Sequence, residues 1–143
     1  MENFEEKAKG IGRRSQVLTS NEMLRNLKIN TSIREGAART GWHDRKLSDM
    51  ETQIYNDTKY VKFLDEGTGI YGPRGQEITP KKGKFLRFQW DKAPSTIKPG
   101  KGGFYFFRSV KGIKPFHIIK KSVATTKPRI PQFIQRAIRE ARS

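Results

Sequence analysis

The chain has 143 residues, 34% hydrophobic and 31% charged, with a formal net charge of +16 and no cysteine. That length supports one domain-sized core, and the missing cysteines exclude a disulfide framework, a thiolate metal site and a thiol nucleophile. No run approaches the ~18 apolar residues of a membrane span and residues 1–10 lack a signal-peptide apolar region, so a life in the cytosol, or in a particle assembled there, is expected.

The charge is uneven. Residues 1–66 hold 12 Lys/Arg against 11 Asp/Glu, whereas residues 67–143 hold 18 against 3. Such a basic half attracts polyanions, whether nucleic acid, anionic lipid or acidic protein surfaces.

In chain order, residues 1–20 are polar, carry Gly10, Gly12 and the pair Arg13–Arg14, and offer few apolar anchors. They read as a flexible or partner-ordered arm, with at most a short helix over Phe4–Lys9. A single α+β domain is expected over 21–143. Thr19-Ser20-Asn21 supplies N-caps for a helix from about Asn21 to Glu35, with Met23, Leu24 and Leu27 at helical spacing. Thr40-Gly41-Trp42 reads as a turn and Met50–Tyr55 as a strand closed by Asn56-Asp57. Tyr60, Val61, Phe63 and Leu64 fit a helical turn or a strand equally. From Gly67 to Gly83, five glycines and two prolines predict a long irregular loop.

Phe85–Asp91 alternates, with Leu86, Phe88 and Trp90 on one face and Arg87 and Gln89 on the other. In Gly103–Val110, Phe104, Phe106 and Val110 share a face opposite Tyr105 and Phe107. The two runs predict an antiparallel hairpin with a wide basic tip holding Lys92, Lys98 and Lys101. Aromatics on both faces of the second strand imply that it is central or meets another subunit. Pro115 is placed to open a helix with Phe116, Ile119 and Val123 as its buried stripe. Lys127-Pro128 ends it, and Pro131 opens a last helix with Phe133, Ile134, Ala137, Ile138 and Ala141 on one face. The sum is a small, mainly antiparallel sheet with a long hairpin, packed by an N-terminal helix and two short C-terminal helices.

Catalytic chemistry has little to work with. The two histidines, His43 and His117, are far apart in sequence, and lone histidines are usually surface or packing residues. Asp57, Asp65 and Glu66 are the best imaginable carboxylate set for a metal-dependent nuclease, yet they read more simply as ion-pair partners for the abundant Lys and Arg. No nucleophile elbow or Gly-Lys-Ser/Thr phosphate loop is present. Basic residues interleave with aromatics in Lys84–Trp90 and Lys101–Arg108, a pattern shared with sheets that bind single-stranded nucleic acid. The simpler account is that these aromatics are core.

The segment Phe63-Leu64-Asp65-Glu66-Gly67-Thr68-Gly69-Ile70-Tyr71-Gly72-Pro73-Arg74-Gly75 adds a different kind of information. It is followed by the strand-like Lys84–Phe88, by Arg108-Ser109-Val110-Lys111-Gly112 and by Pro115-Phe116. In this order, across roughly Thr40–Val123, the set resembles the neck, tail-completion or minor tail proteins of long-tailed bacteriophages and prophages. The resemblance implies a virion protein at the head–tail junction, assembled in the bacterial host cytoplasm as a ring around the DNA channel, with a hexamer favoured. It implies no catalysis, cofactor or metal. The implied partners are further copies of the chain, head-completion or connector proteins, tail-tube or terminator proteins, and DNA passing without sequence specificity. Contact residues would be Glu66, Gly67, Thr68, Gly69, Tyr71, Pro73, Arg74 and Phe116, with Lys92, Lys98, Lys101 and Arg108 on the hairpin. The alternative is a sequence-nonspecific nucleic-acid-binding domain built on that hairpin.

Overall fold

The computed structural model describes residues 3–143. The fold is α+β: helices α1 (Phe4–Asn30), α2 (Gly36–Thr40), α3 (Val61–Glu66), α4 (Ile118–Thr126) and α5 (Ile130–Arg142), with strands β1 (Trp42–Ser48), β2 (Glu51–Asn56), β3 (Leu86–Phe88) and β4 (Tyr105–Phe107). The strands form two separate antiparallel pairs, β1–β2 and β3–β4, rather than one sheet. Among the described residues no helix is long and apolar enough to cross a membrane. The chain divides into two compact units where one domain is expected from its length: residues up to Val61 with His117–Ser143, and Lys62–Phe116.

In the first unit the expected arm is instead the opening of a 27-residue helix. Composition misleads here because polar side chains help to fasten the first half of α1. Gln16 Nε2 donates to Thr52 Oγ1 at 2.6 Å, Arg14 pairs with Glu140, and Arg13 pairs with Asp49. Gly12 leaves room for Met50, whose Cε would lie 2.9 Å from any added Cβ. Glu5 and Glu6 in the first turn and Lys28 in the last complement the helix dipole. The helix stops at Thr31, where the backbone turns extended. The buried Thr31 hydroxyl donates to Leu27 O at 2.7 Å and accepts from Trp42 Nε1 at 2.9 Å.

The predicted turn at Thr40–Trp42 is the seam between α2 and β1. Ala38, fully buried, donates its N–H to the Tyr60 hydroxyl, and its carbonyl accepts from Asn56 Nδ2. Strand β1 exposes every residue except Trp42 and so carries no alternation to read; pairing with β2 holds it, in a register running from Trp42↔Asn56 to Ser48↔Glu51.

Helix α4 corrects the C-terminal reading. It starts at Ile118, after His117 with its left-handed φ of 51°, so Pro115 and Phe116 precede it. Its buried face is Ile118, Ser122 and Thr126, while Ile119 and Val123 are exposed. Small polar residues win that face because they bond to α1: Asn26 Nδ2 donates to Thr126 Oγ1 and Asn30 Nδ2 to Ser122 Oγ, each at 2.9 Å. Lys127–Arg129 is a 3-10 turn leading directly into α5, whose Phe133 and Ala137 are buried and whose Ile134 and Ala141 are not.

Candidate interaction surfaces

In the second unit, two segments about 45 residues apart in the chain close on each other. Thr68 N–H donates to Ile113 O (2.9 Å), Ile113 N–H donates to Thr68 Oγ1 (3.0 Å), and Ile70 N–H donates to Lys111 O (2.8 Å). Below them Phe116 N–H reaches Leu64 O (2.9 Å), and Ile78 and Val110 exchange a bridge pair (2.9 and 3.0 Å). This is a clasp made of backbone. Its approach is so close that side chains are excluded at two positions. A Cβ at Gly69 (φ 64°) would sit 1.9 Å from Lys111 O, and one at Gly112 (φ 94°) would sit 2.2 Å from Thr68 O. Only glycine combines that backbone angle with that contact.

The clasp therefore gathers Gly67, Thr68 and Gly69 from the expected contact residues and puts them to structural use. Tyr71 stays on the surface, with the Lys114 ammonium 5.8 Å from its ring centroid. Glu66, Pro73 and Arg74 are exposed, as is the Phe116 side chain.

The hairpin β3–β4 pairs Leu86↔Phe107, Arg87↔Phe106 and Phe88↔Tyr105, and its wide tip exposes Lys92, Lys98 and Lys101, with Arg108 exposed beyond β4. The alternation read from the sequence holds. On one face Phe88 stacks on Phe107 with centroids 5.6 Å apart, and Trp90 meets Tyr105 edge-on at 5.6 Å. On the other the Arg87 guanidinium lies 4.2 Å from the Phe104 ring centroid. The aromatic rings thus serve as a small core of the hairpin itself. Strand β4 pairs with β3 alone among the described residues, so it is not central, and Phe106 is exposed.

The first unit carries a surface that sequence reading missed. A shallow groove of about 510 Å³ opens between α1, β2 and α5, with Met23, Met50, Ile54, Ile130 and Ile134 as its apolar lining. Its only sequence signal was the breadth of the apolar face of α5, wider than the Phe133–Ala137 line that α1 covers.

His43 Nε2 lies 3.1 Å from Asp57 Oδ2 on the exposed side of β1. Among the described residues no three His, Asp or Glu side chains converge as a metal site. The strongest electrostatic anchor is Glu140. Hydrogen bonds from Arg14 and then Arg136 hold its carboxyl down at about 2. No family model matches the chain, and neither does any curated protein or solved structure.

Proposed function

We propose that the chain is a structural protein of the head–tail junction of a long-tailed phage, a neck or tail-completion subunit that assembles as a ring around the DNA channel. The phage assignment rests on the ordered motifs from Phe63 to Phe116. The observation that carries assembly is the surface. The chain exposes 11053 Å². Two separate globules of the sizes of its two units would together expose only about 9,000 Å². The excess, about 2,000 Å², is close to two standard interface faces of roughly 800 Å² each. A ring subunit has two such faces, one toward each neighbour. Exposed Phe4, Ile33, Phe63 and Phe106 supply apolar material for them.

The basic tip residues Lys92, Lys98 and Lys101 suit acidic surfaces of adjoining rings better than firm DNA binding, which would oppose passage of the genome. The rival reading, a sequence-tolerant nucleic-acid binder, draws on the same lysines and on half-exposed Trp90. Light scattering of the purified protein, with and without a short duplex at low and moderate salt, separates the two. Assembly that depends on protein concentration and ignores DNA is the expected result. A tight DNA complex that weakens steeply as salt rises would transfer the chain to the rival class.

A further inference from the structure

Two rings of the β3–β4 hairpin stay outside its aromatic core. Phe106 is 45% exposed, and Phe85, just ahead of β3, is 49% exposed. Phe106 pairs across the ladder with Arg87, so both lie on the face opposite the stacked Phe88 and Phe107. Phe85 stands two residues before Arg87, about 7 Å along the chain, and follows the same alternation. The contact of the Arg87 guanidinium with the Phe104 ring, 4.2 Å from its centroid, holds the cation on this face. The tip closes onto it as well. Gly100 N–H donates to Phe104 O at 2.8 Å, and a Cβ at Gly100 would stand 3.1 Å from Phe106 Cδ2. The turn that carries Lys98 and Lys101 is thereby laid beside the Phe106 ring.

Around these rings the charge is almost all of one sign. Residues 78–111 hold nine Lys/Arg against the single acid Asp91. All nine are exposed, and among the described residues none of them forms an ion pair. Carboxylates of an acidic protein would satisfy such cations, but they have no flat surface to lay on a bare ring. A nucleotide brings both a phosphate and a flat base. In a duplex the bases are stacked on one another, so only an unpaired strand can offer its base faces to Phe85 and Phe106.

We infer that this face of the hairpin binds single-stranded nucleic acid without sequence preference, with bases on Phe85 and Phe106 and phosphates on Arg87 and the tip lysines. The inference goes beyond ring assembly and does not depend on it. Two rings make a small platform, so the complex is loose, with a dissociation constant of roughly 1–100 µM at physiological salt. Such a hold leaves passage of a duplex unopposed.

The test titrates the full chain into an end-labelled oligothymidylate of about ten nucleotides and follows fluorescence anisotropy, with unlabelled competitors. Unlabelled oligothymidylate should displace the probe at least about tenfold more effectively than a duplex or a poly-glutamate peptide of the same length. Phe85→Ala and Phe106→Ala should each weaken binding about fivefold or more, whereas Phe85→Tyr and Phe106→Tyr, which keep a flat ring, should bind like the wild type. Arg87→Gln should weaken binding and flatten its salt dependence. Both rings are half-exposed, so circular dichroism of the alanine variants should match the wild type. Should Phe106→Ala unfold the hairpin, Phe85→Ala, outside the ladder, carries the same test. Alanine variants that bind as tightly as the wild type would leave charge alone at work and overturn the inference. Displacement by poly-glutamate as effective as by the oligonucleotide would also overturn it and give the face to an acidic protein. A wild-type chain that assembles but leaves the probe free strikes this inference and not the ring; one that binds the probe yet stays monomeric at every concentration does the reverse.

Discussion

The two units of this chain are held together by different means. Among the described residues, six of the seven buried hydrophobic ones, Leu27, Ala38, Trp42, Ile118, Phe133 and Ala137, lie in the first unit, and Leu64 lies in the second. The first unit therefore has a conventional if small core, trimmed with side-chain hydrogen bonds between α1 and α4. The second replaces core by a backbone clasp and by aromatic rings stacked on a two-stranded hairpin. Constraint on sequence follows the mechanism. In the first unit it falls on side chains that meet, in the second on glycines whose side chains must be absent.

The sharpest way to break that contrast is to put a methyl group into the clasp. Gly69→Ala and Gly112→Ala each drive a Cβ into a carbonyl while forcing a left-handed backbone, and each should cost at least ~3 kcal/mol. Gly75 is the control. It has a similar φ of 60° but open space around it, so Gly75→Ala should cost only about 1–2 kcal/mol. Hydrogen exchange at the amides of Ile70 and Ile113 reads the result directly. Equal losses of protection at positions 69 and 75 would mean that backbone angle alone matters and that the close approach is unimportant.

A middle-sized effect belongs to the α1–α4 seam. Ser122 is fully buried while neighbouring Val123 is 45% exposed, the reverse of what hydrophobicity suggests. Ser122→Val overfills the seam and removes the partner of Asn30, and should destabilise by about 1–3 kcal/mol. Val123→Ser should stay within about 0.5 kcal/mol. Urea midpoints of the two variants give the comparison, and a larger loss at position 123 would show that the face of α4 has been drawn the wrong way round.

The same seam explains what was legible in the sequence and what was not. Clean period-two alternation made the β3–β4 hairpin and its faces readable, and Pro131 with the Phe133–Ala137 spacing marked α5. The α+β class followed from these. The first half of helix α1 is not legible because it is held partly by Gln16, Arg13 and Arg14, residues that composition assigns to solvent. Strand β1 shows no pattern because only Trp42 turns inward, and α4 was rotated because hydrogen bonds favoured Ser122 and Thr126 over Val123. For the contact residues, the glycine-rich segment was recognisable as special, but the reason was not. Only the partner segment, far along the chain, shows that Gly69 serves packing while Tyr71 and Arg74 remain available. The groove is not legible because its lining comes from three elements and the β1–β2 turn, with two or fewer apolar residues each.

The smallest expected effect sharpens the comparison from the other side, through pH. Glu140 sits near the C-terminal end of α5, where the helix dipole disfavours an acid, yet Arg14 and Arg136 hold its carboxyl at about 2, below the ordinary 4.5. A depressed carboxyl stabilises the fold above its unfolded value and loses that contribution as pH falls through the folded one. The tie between α1 and α5 is thus fully present above about 4.5 and gone near 2. Because the group is exposed, the contribution is modest and screened by salt. Melting temperatures of wild type and Glu140→Gln should differ slightly at neutral pH and converge between 4.5 and 2. Other carboxylates titrate in both proteins and cancel in the difference. The second unit has no share in this pair, so clasp protection at Ile70 and Ile113 should be the same in both proteins throughout. A gap in melting temperature that survives to pH 2 would place the effect in helix propensity or local packing instead of the ion pair.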